Sequence, residues 1–317
     1  MSISLKTSII ILLLFASCSK TDDSQSSVLE QFEFKDTLMH NGIERSYVIH
    51  FPPTYNGTDK LPLVMALHGG GSGDGQELLD KNHFDEVGDT ENYISVFPNG
   101  VFSDWADGRG VTDSGQAGID DVSFLNDLID HLTQEYQIDS NRIYVCGASN
   151  GGMMTQRLAC ETPQKFAAFA SIISSMPDEI FDSCKPQEPV SMLLMNGTND
   201  TFVPYDGGNL GSLTDGGSVI GTNETILFWQ ENNACTNINP TITELPNIDD
   251  TDGSTVTVFD FGTCTGLSEI LLYRINDGGH ILPGYESILN PVPLVGYVNH
   301  DIDAAEEIWK FFKKHSR

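Results

Sequence analysis

The sequence predicts an α/β fold: a mostly parallel central sheet with helices on both faces and an antiparallel hairpin at its N-terminal end. Three observations predict it. Short continuous apolar runs, such as Leu61–Leu67 and Arg142–Cys146, have the pattern of strands buried on both faces. Stretches with helical spacing alternate with these runs, as Val122, Leu125, Leu128, Ile129 and Leu132 illustrate, and such alternation calls for a parallel sheet. Gly147-Ala148-Ser149-Asn150-Gly151 then joins a strand-like run to a helix-like one, at a turn too tight for side chains on its outer glycines.

Taken in order, the chain begins with Lys6 and the apolar run Ile9–Phe15, read as a signal peptide over residues 1–17. That run is too short to span a bilayer as a helix but suits the core of a signal segment. Phe15-Ala16-Ser17-Cys18 has the form of a lipobox, with Cys18 as the lipidated residue. Residues 18–30 are polar and acidic, a flexible tether. The expectation is an exported protein, lipid-anchored to a bacterial envelope or secreted, that meets membrane only through that anchor. A single domain is expected over residues 31–317.

Within that domain, Asn41-Gly42 centres a hairpin between Gln31 and Phe51. Strands are predicted at Leu61–Leu67, Tyr93–Pro98, Arg142–Cys146, Phe166–Ile173, Val190–Met195, Val256–Phe261 and Ile270–Ile275. Helices are predicted at Asp121–Tyr136, Gly152–Leu158, Ile226–Glu231 and Ile302–Lys314.

Composition narrows the function. Acidic residues number 45 against 16 basic ones, for a formal charge of −29. Such a surface repels phosphate backbones, which excludes nucleic acid as a partner. Five cysteines lie beyond Cys18, and in an exported chain they are disulfide candidates. The expected pairs are Cys160 with Cys184 and Cys235 with Cys264, although spacing alone does not fix connectivity. Cys146 is then left as a small apolar residue of the strand before Ser149.

G-x-S-x-G between strand and helix is a nucleophile elbow, which exposes the serine oxygen beside a helix N-terminus. His68-Gly69-Gly70-Gly71, after an early strand, is where a second oxyanion-binding N–H would come from. A phosphate loop would require a following lysine, and there is none. A serine nucleophile needs a base and a carboxylate to orient it, in the chain order Ser, Asp, His. Asp200 sits just after a strand end, with Asp206 as its back-up. Three histidines follow Ser149. His300 reads as a cap of the last helix and His315 as part of its solvated tail, so His280, in a glycine-flanked loop, is the expected base. No H-E-x-x-H or paired C-x-x-C occurs, so neither a metal site nor any other cofactor is expected.

These segments carry a family resemblance. His68–Gly71, Ile119–Leu125, Gly147–Met153, Asn196–Asp200 with Val203-Pro204-Tyr205, and Gly278-Gly279-His280 resemble secreted serine esterases of the poly(3-hydroxybutyrate) depolymerase and feruloyl esterase family, in the α/β-hydrolase superfamily. The likeness runs in order from about Asn41 to His315. It implies Ser149 as nucleophile, Asp200 as orienting acid, His280 as base, and the amides of Asn150 and Gly70 as the oxyanion hole. It also implies a bridge between Cys235 and Cys264. Trp105 is a candidate to stack on a feruloyl ring or a sugar, with a buried packing role as the equal alternative, and His68 is a second candidate substrate contact.

This sequence departs from the pattern at Gly70, where depolymerases carry cysteine, at Leu282 in place of tryptophan, and at Ala106 in place of asparagine. The first departure favours feruloyl or acetyl esters of plant polysaccharide over a polyester such as polyhydroxybutyrate. A peptidase with the same triad and a non-catalytic carbohydrate-binding lipoprotein are the readings from other classes. The sequence leaves the oligomeric state open.

Overall fold

The computed structural model describes residues 32–71, 73–211 and 216–317; the expected signal peptide, Cys18 and tether lie outside the described residues. The chain from Phe32 opens with β1 (Glu33–His40) and β2 (Ile43–His50), paired antiparallel with His40 opposite Ile43. Asn41 and Gly42 between them take φ of 51° and 81°, the left-handed pair that an Asn-Gly two-residue turn supplies. β3 (Leu61–Leu67), β4 (Ile94–Pro98), β5 (Ile138–Ala148), β6 (Ala168–Ile172), β7 (Met192–Gly197), the two-residue strands β8 (Gly208–Asn209) and β9 (Ser218–Val219), β10 (Thr241–Glu244), β11 (Thr255–Thr263) and β12 (Glu269–Asn276) follow.

Among the described residues ten of these strands form one sheet in the order β1-β2-β4-β3-β5-β6-β7-β12-β11-β10. Its centre, from β4 to β12, is parallel; both flanks are antiparallel. β8 and β9 pair separately as a short ribbon.

The helices are α1 (Gly75–Lys81), α2 (Phe84–Glu91), α3 (Asp121–Glu135), α4 (Asn150–Glu161), α5 (Thr222–Asn232) and α6 (Ala304–Phe312), with single turns at Asp113–Gln116 and Asp178–Phe181. Three start on an aspartate whose carboxylate takes an orphan first-turn N–H: Asp74 from Glu77, Asp120 from Ser123 and Asp303 from Glu306. Alternate residues of the central strands feed two cores. Met65, Val145 and Leu194 pack with Leu125, Leu128, Leu158 and Trp229 of α3, α4 and α5. Val64, Tyr144 and Leu193 pack with Leu78, Phe84, Ile308 and Phe312 of α1, α2 and α6 on the opposite face.

Several expectations change here. α1, α2 and β10 were not anticipated: the two helices are short, and every residue of β10 is exposed, so none carries a long apolar stripe. β6 begins at Ala168, because Phe166 closes a turn by donating its N–H to Pro163 O. Asp303, and not His300, caps α6. His315 is buried rather than solvated, its Nδ1 3.3 Å from Ser191 Oγ. No helix among the described residues is long and apolar enough to cross a membrane.

Candidate active site

The site is assembled at the C-terminal ends of three parallel strands. β5 ends at Ala148 and α4 begins at Asn150, which leaves Ser149 as the turn between them with φ 56° and ψ −119°. That backbone is strained for any residue bearing a Cβ. It is held because the Ser149 N–H donates to Ile172 O at 2.9 Å and its carbonyl accepts from Met153 N at 2.9 Å. A Cβ on Gly147 or Gly151 would collide with backbone, of Gly151 in the first case and of Leu67 and His68 in the second. The elbow glycines are therefore steric requirements.

Asp200 follows β7 and His280 follows β12, neighbouring parallel strands. Their loops are welded together: Thr198 N donates to Ile275 O at 3.0 Å, Asn199 N to Gly278 O at 2.9 Å, and Asp277 N to Thr198 Oγ1 at 2.8 Å. His280 N donates to Val295 O at 2.6 Å, so a third segment fixes the imidazole-bearing residue.

These three residues meet. His280 Nε2 is 2.9 Å from Ser149 Oγ, and His280 Nδ1 is 2.7 Å from Asp200 Oδ2. The other oxygen, Asp200 Oδ1, accepts from Phe202 N and Val203 N, each at 2.8 Å. An ionised carboxylate only accepts, so Nδ1 carries the ring proton and Nε2 is the acceptor facing the serine hydroxyl. The Asp200 side chain is 3% exposed and that of His280 11%. Phe202 stacks on the His280 ring, with centroids 5.1 Å apart and planes 23° apart.

The His68–Gly71 loop lies against the elbow. A Cβ built on Gly69 would sit 3.5 Å from Ser149 Cβ, and one on Gly70 would sit 3.3 Å from Asn150 Cβ. Gly69 thus lies against Ser149 and Gly70 against Asn150. A cavity of about 180 Å³ opens beside them, walled by Leu78, Ile173, Ile281, Leu282 and Tyr285, with Lys81 also on its lining.

Of the two readings of Trp105 the structure shows the buried packing role, and His68, although on the cavity lining, is 2% exposed, which corrects it as a direct contact. Trp105 is wholly buried, donates its indole N–H to His68 O at 2.9 Å and packs on the His68 ring with centroids 4.9 Å apart. His68 spends both ring nitrogens inside the protein: Nδ1 on Gly69 O at 2.7 Å, and Nε2 as acceptor of Gly100 N at 3.0 Å. Burial holds its pKa below the usual histidine value, and a neutral Nδ1–H ring fits both bonds. Its job is to hold the glycine loop.

Disulfides join Cys160 to Cys184 and Cys235 to Cys264, bracing the ends of α4 and α5; Cys146 is a buried free thiol whose pKa burial raises. Among the described residues no three His, Cys, Asp or Glu side chains gather as metal ligands. Sequence reasoning passed over Phe202 and the buried pair Asp107 and Arg109. The signal for the pair was the dense Asp104-Trp105-Ala106-Asp107-Gly108-Arg109 run, where charged residues interleave with a large aromatic.

Comparison with known proteins agrees with this architecture. Residues 100–182, which include the elbow, match the prolyl oligopeptidase family profile. A bifunctional acetylxylan esterase/xylanase of Neocallimastix patriciarum is 32% identical over 157 residues, covering 50% of this chain and 22% of that protein. Feruloyl esterase B of Piromyces equi is 28% identical over 244 residues, covering 74% of this chain and 42% of its own length. The chain thus spans less than half the length of these curated relatives. Among solved structures, an acetyl xylan esterase from Aspergillus awamori superposes with TM-score 0.54 at 15% identity, covering 78% of this chain and 94% of that one. A thermostable esterase gives 0.56 at 15% identity, covering 92% and 64%. The chain has the α/β-hydrolase fold.

Proposed function

We propose that this chain is an exported serine carboxylic-ester hydrolase acting through an acyl-enzyme, on feruloyl or acetyl esters of plant polysaccharide. The observation that carries the reading is the unbroken chain Ser149 Oγ–His280 Nε2 at 2.9 Å and His280 Nδ1–Asp200 Oδ2 at 2.7 Å. As the hydroxyl attacks an ester carbonyl, its proton passes to Nε2. Asp200 holds the ring in the Nδ1–H tautomer and offsets the imidazolium charge. The carbonyl oxygen, now negative, is met by the N–H groups of Asn150 and Gly70, aided by the N-terminal dipole of α4. The alcohol leaves with the proton from Nε2. Water then repeats the sequence on the acyl-enzyme and frees Ser149 Oγ.

The names of the relatives, acetylxylan and feruloyl esterases, support the choice of ester. The two disulfides support export, since such bonds persist in oxidising compartments, and the run from Ile9 to Cys18 supports a lipid anchor as its form. A polyester substrate is the alternative among esters. A peptidase is the second reading, favoured by the match of the elbow region to a peptidase family.

The test is hydrolysis of p-nitrophenyl acetate, methyl ferulate, acetylated xylan, hydroxybutyrate oligomers and aminoacyl p-nitroanilides by the parent and its variants. Ser149→Ala and His280→Ala should each cost on the order of 10⁶ in turnover, and Asp200→Asn on the order of 10⁴. Ester hydrolysis by Ser149→Ala near the parent rate would end the proposal, and anilide rates above ester rates would transfer it to the peptidase reading.

A further inference from the structure

The backbone N–H of Asn150 enters the mechanism above, but its side chain does not. That side chain is nevertheless caged. It is 3% exposed, its Oδ1 accepts the Trp105 backbone N–H at 2.7 Å, and its Nδ2 donates to Trp105 O at 3.1 Å and to Asp107 Oδ2 at 2.6 Å. Asp107 is wholly buried, and the same Oδ2 accepts from Arg109 Nε at 2.9 Å and lies 2.7 Å from Nη2. Asp107 Oδ1 takes the Arg109 N–H at 3.1 Å. Arg109 then reaches across to donate Nη1 to Gly216 O at 2.7 Å, just before the ribbon strand β9. Val219 of that ribbon, with Leu210, packs on Met153 of α4 and on Val203 beside Asp200.

We infer that Asp107 and Arg109 are positioning residues for the oxyanion hole, acting through the side chain of Asn150; the inference rests on Ser149 being the nucleophile. Three physical points lead there. Ser149 occupies strained backbone, and such strain persists only where the surroundings over-determine it. The bonds to the Asn150 amide clamp the residue next to that strain, and so fix the direction of its own N–H. Secondly, a fully desolvated ion pair adds little net stability compared with an apolar replacement, so the pair earns no place as an anchor of the fold alone. Its Oδ2 is instead the acceptor that holds Asn150. Thirdly, the Asn150 Cβ abuts Gly70, so a shift of residue 150 displaces both N–H groups that face the developing oxyanion. An oxyanion hole acts through donors already in place, so small displacements are felt in turnover and not in substrate affinity.

The experiment compares the parent with Asn150→Ala, which keeps the backbone N–H, and with Asp107→Asn, which keeps volume and an acceptor but discharges the pair. Kinetics on p-nitrophenyl acetate, inhibition by a phenylboronic acid that forms a tetrahedral adduct on Ser149, and thermal midpoints are measured together. Asn150→Ala should lower kcat at least about tenfold, below the 10²–10³ for outright loss of one donor. KM should stay within about twofold, the pattern of a contact made only in the transition state. Boronate affinity should fall by the same factor as kcat. Asp107→Asn should show the same split at smaller size. If Asn150→Ala does not fold, Asp107→Asn decides by the same criteria. The inference is overturned if kcat stays within about twofold of the parent in a folded variant, or if kcat falls while boronate affinity holds. Ser149→Ala serves as the control: if it alone retains activity, the esterase reading fails; if it is dead and the Asn150 variant is unimpaired, only the positioning role does.

Discussion

At the scale of residues, burial decides what each polar group does. His315 lies at the far end of the sheet from Ser149, 8% exposed, and burial with Lys314 nearby lowers its pKa to about 4. Glu269 pulls the other way, but its oxygen is 3.7 Å from Nε2 and 3.9 Å from the Lys314 ammonium, so the charges largely cancel and desolvation wins. Its folded pKa is below the unfolded value near 6.5. The unfolded chain therefore binds the proton first, and stability is full above that pH and lost as pH falls toward 4. The loss is on the order of 3 kcal/mol. Denaturant midpoints for the parent and His315→Gln, measured from pH 7 to 4, should diverge at the acid end, with the parent losing more. At the other end of the sheet, Phe202→Leu removes the ring stacked on His280. It should lower kcat about threefold to tenfold, matching the 0.5–1.5 kcal/mol of an aromatic pair, while the thermal midpoint stays close to the parent's.

At the scale of elements, the disulfides and loop welds do the positioning. Cys160 closes the C-terminal end of α4, whose N-terminus carries Asn150, the proposed oxyanion donor, and its partner Cys184 lies 24 residues on. Replacing both by alanine should cost about 2–4 kcal/mol, read as an earlier urea midpoint, with kcat at low urea reduced far less than by Asn150→Ala. Most of these elements were legible in the sequence. Continuous apolar runs marked β3, β4, β5 and β12, Asn41-Gly42 marked the hairpin turn, and the spacing of Val122 to Leu132 marked α3.

The elements that escaped had no local signal. α1 and α2 are too short to declare a period, and β10 is an exposed edge whose Thr-Ile-Thr-Glu has no buried face. At the site, chain order and loop context led to Ser149, Asp200 and His280, and the fold brings the three together. The bonds that tie His68 and Trp105 to distant segments, Trp105 Nε1 to His68 O and Gly100 N to His68 Nε2, could not be read, because 37 and 32 residues separate their partners. The role of His315 escaped for the same reason: a charged tail reads as solvated until Tyr144, Ser191 and Phe311 are seen around it.

At the scale of the whole molecule, the charge of −29 sets the response to the medium. Only 16 basic residues are available, and several are committed to local pairs such as Lys165–Asp130 and Lys313–Glu91. The remaining carboxylates repel one another across the surface, a force that ions screen with a length of about 10 Å at 0.1 M salt. Raising sodium chloride from 10 mM to 0.5 M should therefore raise the thermal midpoint by a few degrees. A falling midpoint would mean that attractive pairs dominate. The same field slows approach of anionic esters relative to neutral ones, so the ratio of kcat/KM for neutral over anionic substrates should shrink as salt rises.

The proposed Ser149, His280 and Asp200 triad also ties chemistry to folding kinetics. Ser149 and His280 are 131 residues apart in sequence, and His280 and Asp200 80 apart. Contacts of such long range carry a large loop-closure cost and mature late, after local helices and the turn at Asn41-Gly42. With the proposed triad, a partly folded chain carries an inert Ser149, and covalent labelling of that hydroxyl during refolding would act as a clock for the last tertiary closures, trailing the recovery of backbone circular dichroism.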